Sequence, residues 1–354
     1  MELPVTLREF ERVAVDALSP EVYGFLAGGA GDEVTLEDNT AAWRRWQIRP
    51  RVLVDVAARD PGTVLLGRER PHPLLVAPTA FHRLAHPDGE LATARAARAA
   101  GAVMCLSTFS TVGPAELAEA VPDGPRWFQL YVFRDRGTTT ALVEAAAAAG
   151  YEALVVTVDL PVLGRRERDL HSGFAVEEPT AVPSLAAHGM TERLTLPETT
   201  ALLDPSLTWA DLGWLAGLSG LPVLVKGVLT AEDAALAVAH GAAGVIVSNH
   251  GGRQLDGVPA TADVLPEIAE RVGDQVDVLV DGGIRRGADV LKALALGARA
   301  VMVGRPVLWG LAAAGEAGAR RVLELLLAEF DNALALAGAP RAAALDMSWL
   351  RRRG

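Results

Sequence analysis

From residue 74 onward the chain repeats one unit eight times. Each unit is a short apolar, β-branched run ending in polar residues or glycine, followed by an Ala-rich stretch of helical periodicity. The runs are LLVAPTA (74–80), VMCLST (103–108), WFQLYV (127–132), ALVVTVD (153–159), PVLVKG (222–227), GVIVSNH (244–250), DVLVDGG (277–283) and AVMVGRP (300–306). Near-continuous apolar runs belong to strands covered on both faces, the condition of a parallel sheet. The stretches between them, such as GELATARAARAAG and GADVLKALALG, space apolar residues three and four apart and stop at glycine. Eight such units with no dissimilar second set of strands predict an α/β fold, a closed (β/α)8 TIM barrel in preference to an open doubly wound sheet.

The 354 residues suit one such barrel. We read residues 1–354 as a single domain, with 1–70 an accessory N-terminal segment and 71–340 the barrel. Thr6 and Glu9 form a capping-box pattern ahead of LREFERVAVDAL, and Ser19-Pro20 opens a second helix that Gly28 and Gly29 break. The rhythm fails once. Between the fourth and fifth strands lies GFAVEEPTAVPSLAAHGMTERLTLPETTALLDPSLTWADL, rich in Pro and Thr and weakly periodic. A long connection on that face of a barrel predicts a partly disordered lid.

Composition closes off several function classes. A net charge of −11 leaves no basic footprint for nucleic acid. No stretch approaches the roughly 20 apolar residues that span a bilayer. The opening MELPVTLREFERVAVD resembles no secretory signal, so the cytoplasm is the expected compartment. Cys105 is the single cysteine, which excludes an intramolecular disulfide; its apolar surroundings predict a buried core residue.

In a barrel of this kind the active site lies at the C-terminal strand ends. Those ends carry Thr79 and Ala80; Ser107 and Thr108; Gln129 and Tyr131; Thr157 and Asp159; Lys226; Ser248, Asn249 and His250; Asp281, Gly282 and Gly283; Gly304 and Arg305. Polar groups that are costly in a core are thus gathered at one rim. The last two units, DGGIRRGADVLKAL and MVGRPVLWGLA, each run strand, glycine, helix. Glycines let backbone N–H groups approach an anion, helix N-termini favour its charge, and Arg285 and Arg305 neutralise it, which reads as a phosphate site; taken singly, each glycine turn is equally explained as a tight turn. His250 ends a core strand facing other ionisable ends, notably Asp159, and imidazole suits general-base work near neutral pH. Arg253, close by, is able to clamp a carboxylate. Two other candidates fail. His82 and His86 have a metal-pair spacing, but Pro87-Asp88-Gly89 follows and no second half of a zinc motif exists. GGAGDE near residue 30 follows a helix, not a strand, so it is no dinucleotide fingerprint. No metal is expected.

SNHGGRQLDG (248–257) resembles the signature of the flavin mononucleotide (FMN)-dependent (S)-2-hydroxy-acid oxidase and dehydrogenase family. The likeness extends through APTAFHRLAHPDGE, WFQLYVFRDR, LVVTVDLPVLGRRERD, LPVLVKGVLTAEDA, DGGIRRGADVLKALALGA and GRPVLWGLAAAGEAG, nearly the whole chain. It implies FMN as cofactor, a small 2-hydroxy acid and oxygen as partners, and a homo-oligomer, tetramer or octamer. By resemblance His250 is the catalytic base, Asp159 the carboxylate paired with it, and Tyr131 a hydrogen-bond donor to the substrate. Arg166 and Arg253 match the arginines that hold the substrate carboxylate, and Lys226 the lysine beside the flavin ring. Pro78, Thr79, Ala80, Ser107, Gln129, Thr157 and Ser248 match ring and ribityl contacts. Asp281, Gly282, Gly283, Arg285, Gly304 and Arg305 match the ribityl and phosphate group.

The implied reaction oxidises a 2-hydroxy acid to the 2-oxo acid. Ala80 follows the oxidase pattern, in which oxygen reoxidises the flavin and hydrogen peroxide results; a dehydrogenase passing electrons to a quinone or cytochrome is the alternative, as is, from another class, a flavin-binding barrel without catalysis. One departure stands out. Many relatives carry a substrate-binding tyrosine in a YYxSGA-like segment, where YGFLAGGAGDE places Phe25; Phe109 stands where glycolate oxidase has tryptophan. These substitutions make the pocket more apolar and favour an aromatic substrate, mandelate or 4-hydroxymandelate-like, over lactate or glycolate. The segment is closest to the 4-hydroxymandelate oxidase branch.

Overall fold

The computed structural model describes residues 3–174 and 196–353. Eight parallel strands close on themselves: β1 (Leu74–Val76), β2 (Val103–Leu106), β3 (Arg126–Leu130), β4 (Leu154–Thr157), β5 (Val223–Val228), β6 (Gly244–Val247), β7 (Asp277–Val280) and β8 (Ala300–Val303). Each pairs with its neighbour in sequence, and Val301 of β8 pairs with Leu74 of β1 to complete the ring. All eight coincide with the apolar runs.

Successive residues on a strand point to opposite faces. Leu75, Cys105, Trp127, Val155, Leu224, Ile246, Leu279 and Met302 therefore meet inside the barrel, while Val76, Met104, Phe128, Val156, Val225, Val245, Val280 and Val303 face the helices outside. Each such buried side chain stabilises the fold by roughly 1.5–3 kcal/mol relative to exposure. Burial pushes the Cys105 thiol far up, as an inert core residue requires. A short hairpin, Thr63–Leu65 with Arg68–Arg70, closes the N-terminal end by burying Leu65 in the interior cluster. Among the described residues no helix is long and apolar enough to cross a membrane.

Helices α1 (Leu7–Ala17), α2 (Pro20–Ala27) and α3 (Val34–Ala42) precede the barrel. The expected capping box of α1 is only half made. Thr6 Oγ1 accepts the Glu9 N–H, but the Glu9 carboxylate turns to the Val5 N–H, one residue earlier. Ser19 caps α2 and Gly28 ends it, as the sequence indicates. α3 has no cap of its own, since Glu33 sits in the left-handed region. Its N-terminal N–H groups at Val34 and Thr35 are instead taken by the Asp256 carboxylate.

The expected lid lies in part outside the described residues, at 175–195. The portion described carries a helix at Leu196–Ala201, and residues 202–204 pair with the segment after β3 through Arg134 N–H to Leu202 O and Asp204 N–H to Val132 O. The long C-terminal helix Arg305–Ala337 breaks at Ala314 and Gly315, leaving a separate short helix directly after β8.

Candidate active site

The C-terminal rim surrounds a cavity of about 1110 Å³, its open mouth included. Every site residue expected from the sequence lines it except Asp159 and Ser248, which stand directly behind His250 and Lys226.

His250 follows β6 in the left-handed region, φ 58°, a conformation rare for a residue with a side chain. Its backbone N–H donates to Ser248 Oγ at 3.1 Å, and Nδ1 meets Asp159 Oδ1 at 2.9 Å. That contact places the proton on Nδ1 and turns the acceptor Nε2 toward the cavity, where it meets the Tyr131 hydroxyl at a long 3.5 Å. Burial lowers the His250 pKa below its ordinary value, and the adjacent Asp159 opposes this only in part. Burial works against the Asp159 charge, but His250, through its electrostatic attraction and its hydrogen bond, and then Lys226 outweigh it and hold the carboxyl below the usual range. Its Oδ2 has no partner among the described residues.

Lys226 ends the interior face of β5. Burial disfavours its charge, yet Asp281 at 3.1 Å and Asp159 hold the ammonium above its ordinary pKa. Its Nζ also donates to Ser248 Oγ at 2.8 Å. Across the floor Ser107 Oγ donates to Gln129 Oε1 at 3.1 Å, and Gln129 Nε2 donates to Thr157 Oγ1 at 3.1 Å, which fixes the amide's orientation.

Four arginines reach the cavity. Arg166 and Arg253 lie on the His250 side, where Arg253 Nη1 donates to the carbonyls of Phe25 and Gly28 at 2.7 and 2.8 Å, with its guanidinium over the Phe25 ring. Arg285, after β7, lies against the Trp309 ring, while Arg305, after β8, reaches back to the loop that Arg253 holds, its Nε donating to Leu26 O at 3.2 Å and its Nη2 to Gly28 O at 2.8 Å. Burial, then the neighbouring Arg285, pushes Arg305 down to about 9. Lys226 and four arginines line the cavity against a single carboxylate, Asp281. So many buried cations are costly without anions to meet them.

The phosphate reading from the sequence needs one correction. The helix after β7, Gly287–Ala295, does not offer its N-terminus to an anion: Asp289 Oδ2 takes the N–H groups of Arg285 and Arg286, and Glu329 that of Gly287. The anion donors here are the turn itself and the second helix. The N–H groups of Gly283 and Gly304 meet no acceptor among the described residues, and the short helix from Arg305 starts at the cavity wall.

The profile of the FMN-dependent dehydrogenase family matches residues 14–352. The chain belongs to that family. It is 48% identical to the L-lactate oxidase of Nostoc sp. over 98% of both chains. A crystal structure of mandelate oxidase superposes with a TM-score of 0.92 at 45% identity, over 98% of each chain. A soluble mutant of the membrane-associated (S)-mandelate dehydrogenase from Pseudomonas putida superposes with the same score at 39% identity, over 98% of this chain and 99% of that one. The protein is thus an FMN-dependent oxidoreductase.

The donor set fits FMN. A phosphate dianion suits Arg285, Arg305 and the free N–H groups of the two glycine turns. The buried Asp281 Oδ1, without a partner, calls for a ligand hydroxyl, which a ribityl chain supplies. An isoalloxazine edge suits Lys226 and the oriented Gln129 amide.

Sequence reasoning missed several residues. Leu160 and Leu163, just past β4, and Phe81 line the cavity; their position beyond strand ends was the only available signal, and apolar residues draw no attention there. Thr200, from the long connection, also lines it. His82 is buried, its Nε2 at 2.6 Å from Thr79 Oγ1 and its Nδ1 at 2.9 Å from Thr93 Oγ1, so both ring nitrogens are engaged by hydroxyls.

Proposed function

We propose that this chain oxidises an (S)-2-hydroxy acid bearing an aromatic or bulky apolar side chain to the 2-oxo acid, with oxygen as final acceptor and hydrogen peroxide as second product. The observation that carries this is His250 Nε2 facing the cavity, with only a long 3.5 Å contact to the Tyr131 hydroxyl, beside two arginines that have no carboxylate ion-pair partner among the described residues. A base beside a carboxylate clamp suits removal of a proton from a hydroxy acid.

In this reading Arg166 and Arg253 hold the substrate carboxylate and Tyr131 donates a hydrogen bond to it. His250 Nε2 takes the hydroxyl proton as the α C–H bond breaks, and Asp159 stabilises the imidazolium that results. Arg285, Arg305, Gly283, Gly304 and Asp281 hold FMN by its phosphate and ribityl chain; Lys226, Gln129, Ser107 and Thr157, with the Pro78–Ala80 backbone, hold its ring, and Ser248 orients Lys226. Bound there, FMN would take up the α hydrogen with its bonding electron pair, and oxygen would reoxidise it and leave as hydrogen peroxide.

The aromatic preference rests on the wall. Phe25, Phe109, Leu160 and Leu163 line the cavity, and Phe109 stacks on Tyr131 with centroids 5.0 Å apart. Phe25 brings no hydroxyl toward the carboxylate. A lactate-like substrate is the second reading, favoured by the 48% identity to a lactate oxidase against 45% to mandelate oxidase. That difference is too small to outweigh the wall. Peroxide formation measured with (S)-mandelate, lactate and glycolate separates the two: we expect kcat/KM for mandelate to exceed the others about tenfold or more, since an apolar ring adds 1–3 kcal/mol. A preference for lactate or glycolate sinks the aromatic reading. Cytoplasmic residence as a tetramer or octamer belongs to the same proposal and rests on the family resemblance; a monomer by light scattering contradicts it.

A further inference from the structure

α3 lies outside the barrel, yet one of its side chains is inserted between the two most specialised rim turns. Asn39 and Asn249 are both buried and hydrogen-bond reciprocally, each Nδ2 donating to the other's Oδ1 at 2.8 Å. The pair is closed on all sides. Asn249 Oδ1 also accepts the Gly252 N–H at 3.1 Å, Asn249 Nδ2 donates to Pro259 O at 3.1 Å, and Asn39 Oδ1 accepts the Thr261 N–H at 3.4 Å. His250 lies inside the turn so tied, between Asn249 and Gly252, in its left-handed conformation.

The same residue packs on the other turn. A Cβ at Gly283 would stand 1.9 Å from the Asn39 carbonyl oxygen, and one at Gly282 would stand 3.2 Å from Asn39 Oδ1. Trp43, following α3, donates its Nε1–H to Gly282 O at 2.9 Å. The turn that bears the base and the turn that offers an N–H to the phosphate are thus referenced to one helix.

We propose that Asn39 is a positioning residue that holds the His250 turn and the Gly282–Gly283 turn in a single frame, so that cofactor phosphate and base are set at a fixed separation. The proposal rests on the functional reading above for the role of His250, but its cofactor half does not. Asn39→Ala leaves the Asn249 amide buried with lost partners, a change on the order of tenfold. Asn249→Ala breaks the same pair from the other side, and a shared interaction makes their effects non-additive.

The test uses the holoenzyme for turnover and the FMN-stripped full chain for binding. Asn39→Ala is expected to slow anaerobic flavin bleaching at saturating hydroxy acid about tenfold or more with half-saturation nearly unchanged. It is expected to weaken FMN binding about tenfold but riboflavin binding under about threefold, because only FMN reaches the glycine turn with a phosphate. The double variant with Asn249→Ala should be no worse than about twofold beyond the poorer single. Trp43→Phe, which keeps a buried ring but removes the bond to Gly282 O and has no hydrogen bond to the His250 turn, should weaken FMN and leave bleaching within about twofold. Equal losses for FMN and riboflavin, unchanged bleaching, or additive effects of Asn39→Ala and Asn249→Ala overturn the proposal. If Asn39→Ala does not fold, Trp43→Phe decides: FMN binding unchanged in that variant contradicts it. A wild-type flavoprotein that no hydroxy acid bleaches contradicts the functional reading instead, and the FMN-to-riboflavin comparison still decides the cofactor half.

Discussion

As the proposed base, His250 would have two requirements that pull apart: it must be neutral before reaction and charged afterwards. Burial secures the first by lowering its pKa, and Asp159 at 2.9 Å secures the second. Below its pKa the ring is protonated and unable to accept a proton, so kcat/KM is expected to fall with falling pH through a midpoint under about 6.5, the ordinary histidine value. A midpoint above 7 in the pH–rate profile contradicts this. Asp159→Asn removes the charge that raises the His250 pKa, so the acid limb should move lower while the rate drops about 10²–10⁴-fold. At Phe25 the missing hydroxyl is restored by Phe25→Tyr. One hydrogen bond to a carboxylate is worth about 1.5–3 kcal/mol, so KM for glycolate should fall roughly tenfold or more while that for mandelate changes less. Equal changes for both acids contradict the role given to Phe25.

The elements were legible where their physics is local. Eight apolar runs bounded by polar ends and glycine are a pattern each segment carries by itself, and all eight became barrel strands. The rim residues followed from the strand ends, since a polar group there has no core in which to hide. What escaped depends on partners far along the chain. Asn39 is an ordinary polar residue of a short helix until Asn249, 210 residues later, is laid against it. Asp256 caps α3 across 221 residues, which no local pattern announces. Likewise the free N-terminus expected after β7 is filled by Glu329, which no local pattern ties to Gly287. Two consequences belong here. Asp256→Ala removes the only side-chain cap of α3 and should destabilise the protein by about 0.5–2 kcal/mol, seen as a lower urea midpoint. Gly283→Ala forces a methyl onto the Asn39 carbonyl at φ 76° and should abolish FMN retention on gel filtration; retention at wild-type level contradicts the turn's assignment.

For the whole molecule the governing fact is a cavity whose described lining holds five cationic side chains and one carboxylate. Such a site favours anionic ligands, and in the proposed reading the cofactor phosphate and the substrate carboxylate meet those cations. Binding the folded state alone, FMN at 100 times its Kd should add about 2.7 kcal/mol of stability. The stripped protein should therefore melt several degrees below the holoenzyme, and an unchanged Tm contradicts a built site. If this site oxidises a 2-hydroxy acid and returns its electrons to oxygen, anaerobic mixing of the yellow protein with (S)-mandelate, followed by flavin absorbance, should bleach it rapidly. Admission of air should then restore the yellow colour promptly, with one hydrogen peroxide per flavin reoxidised. Bleaching that persists in air would make the protein a dehydrogenase, and a flavin that neither mandelate nor any smaller 2-hydroxy acid bleaches would contradict the account outright.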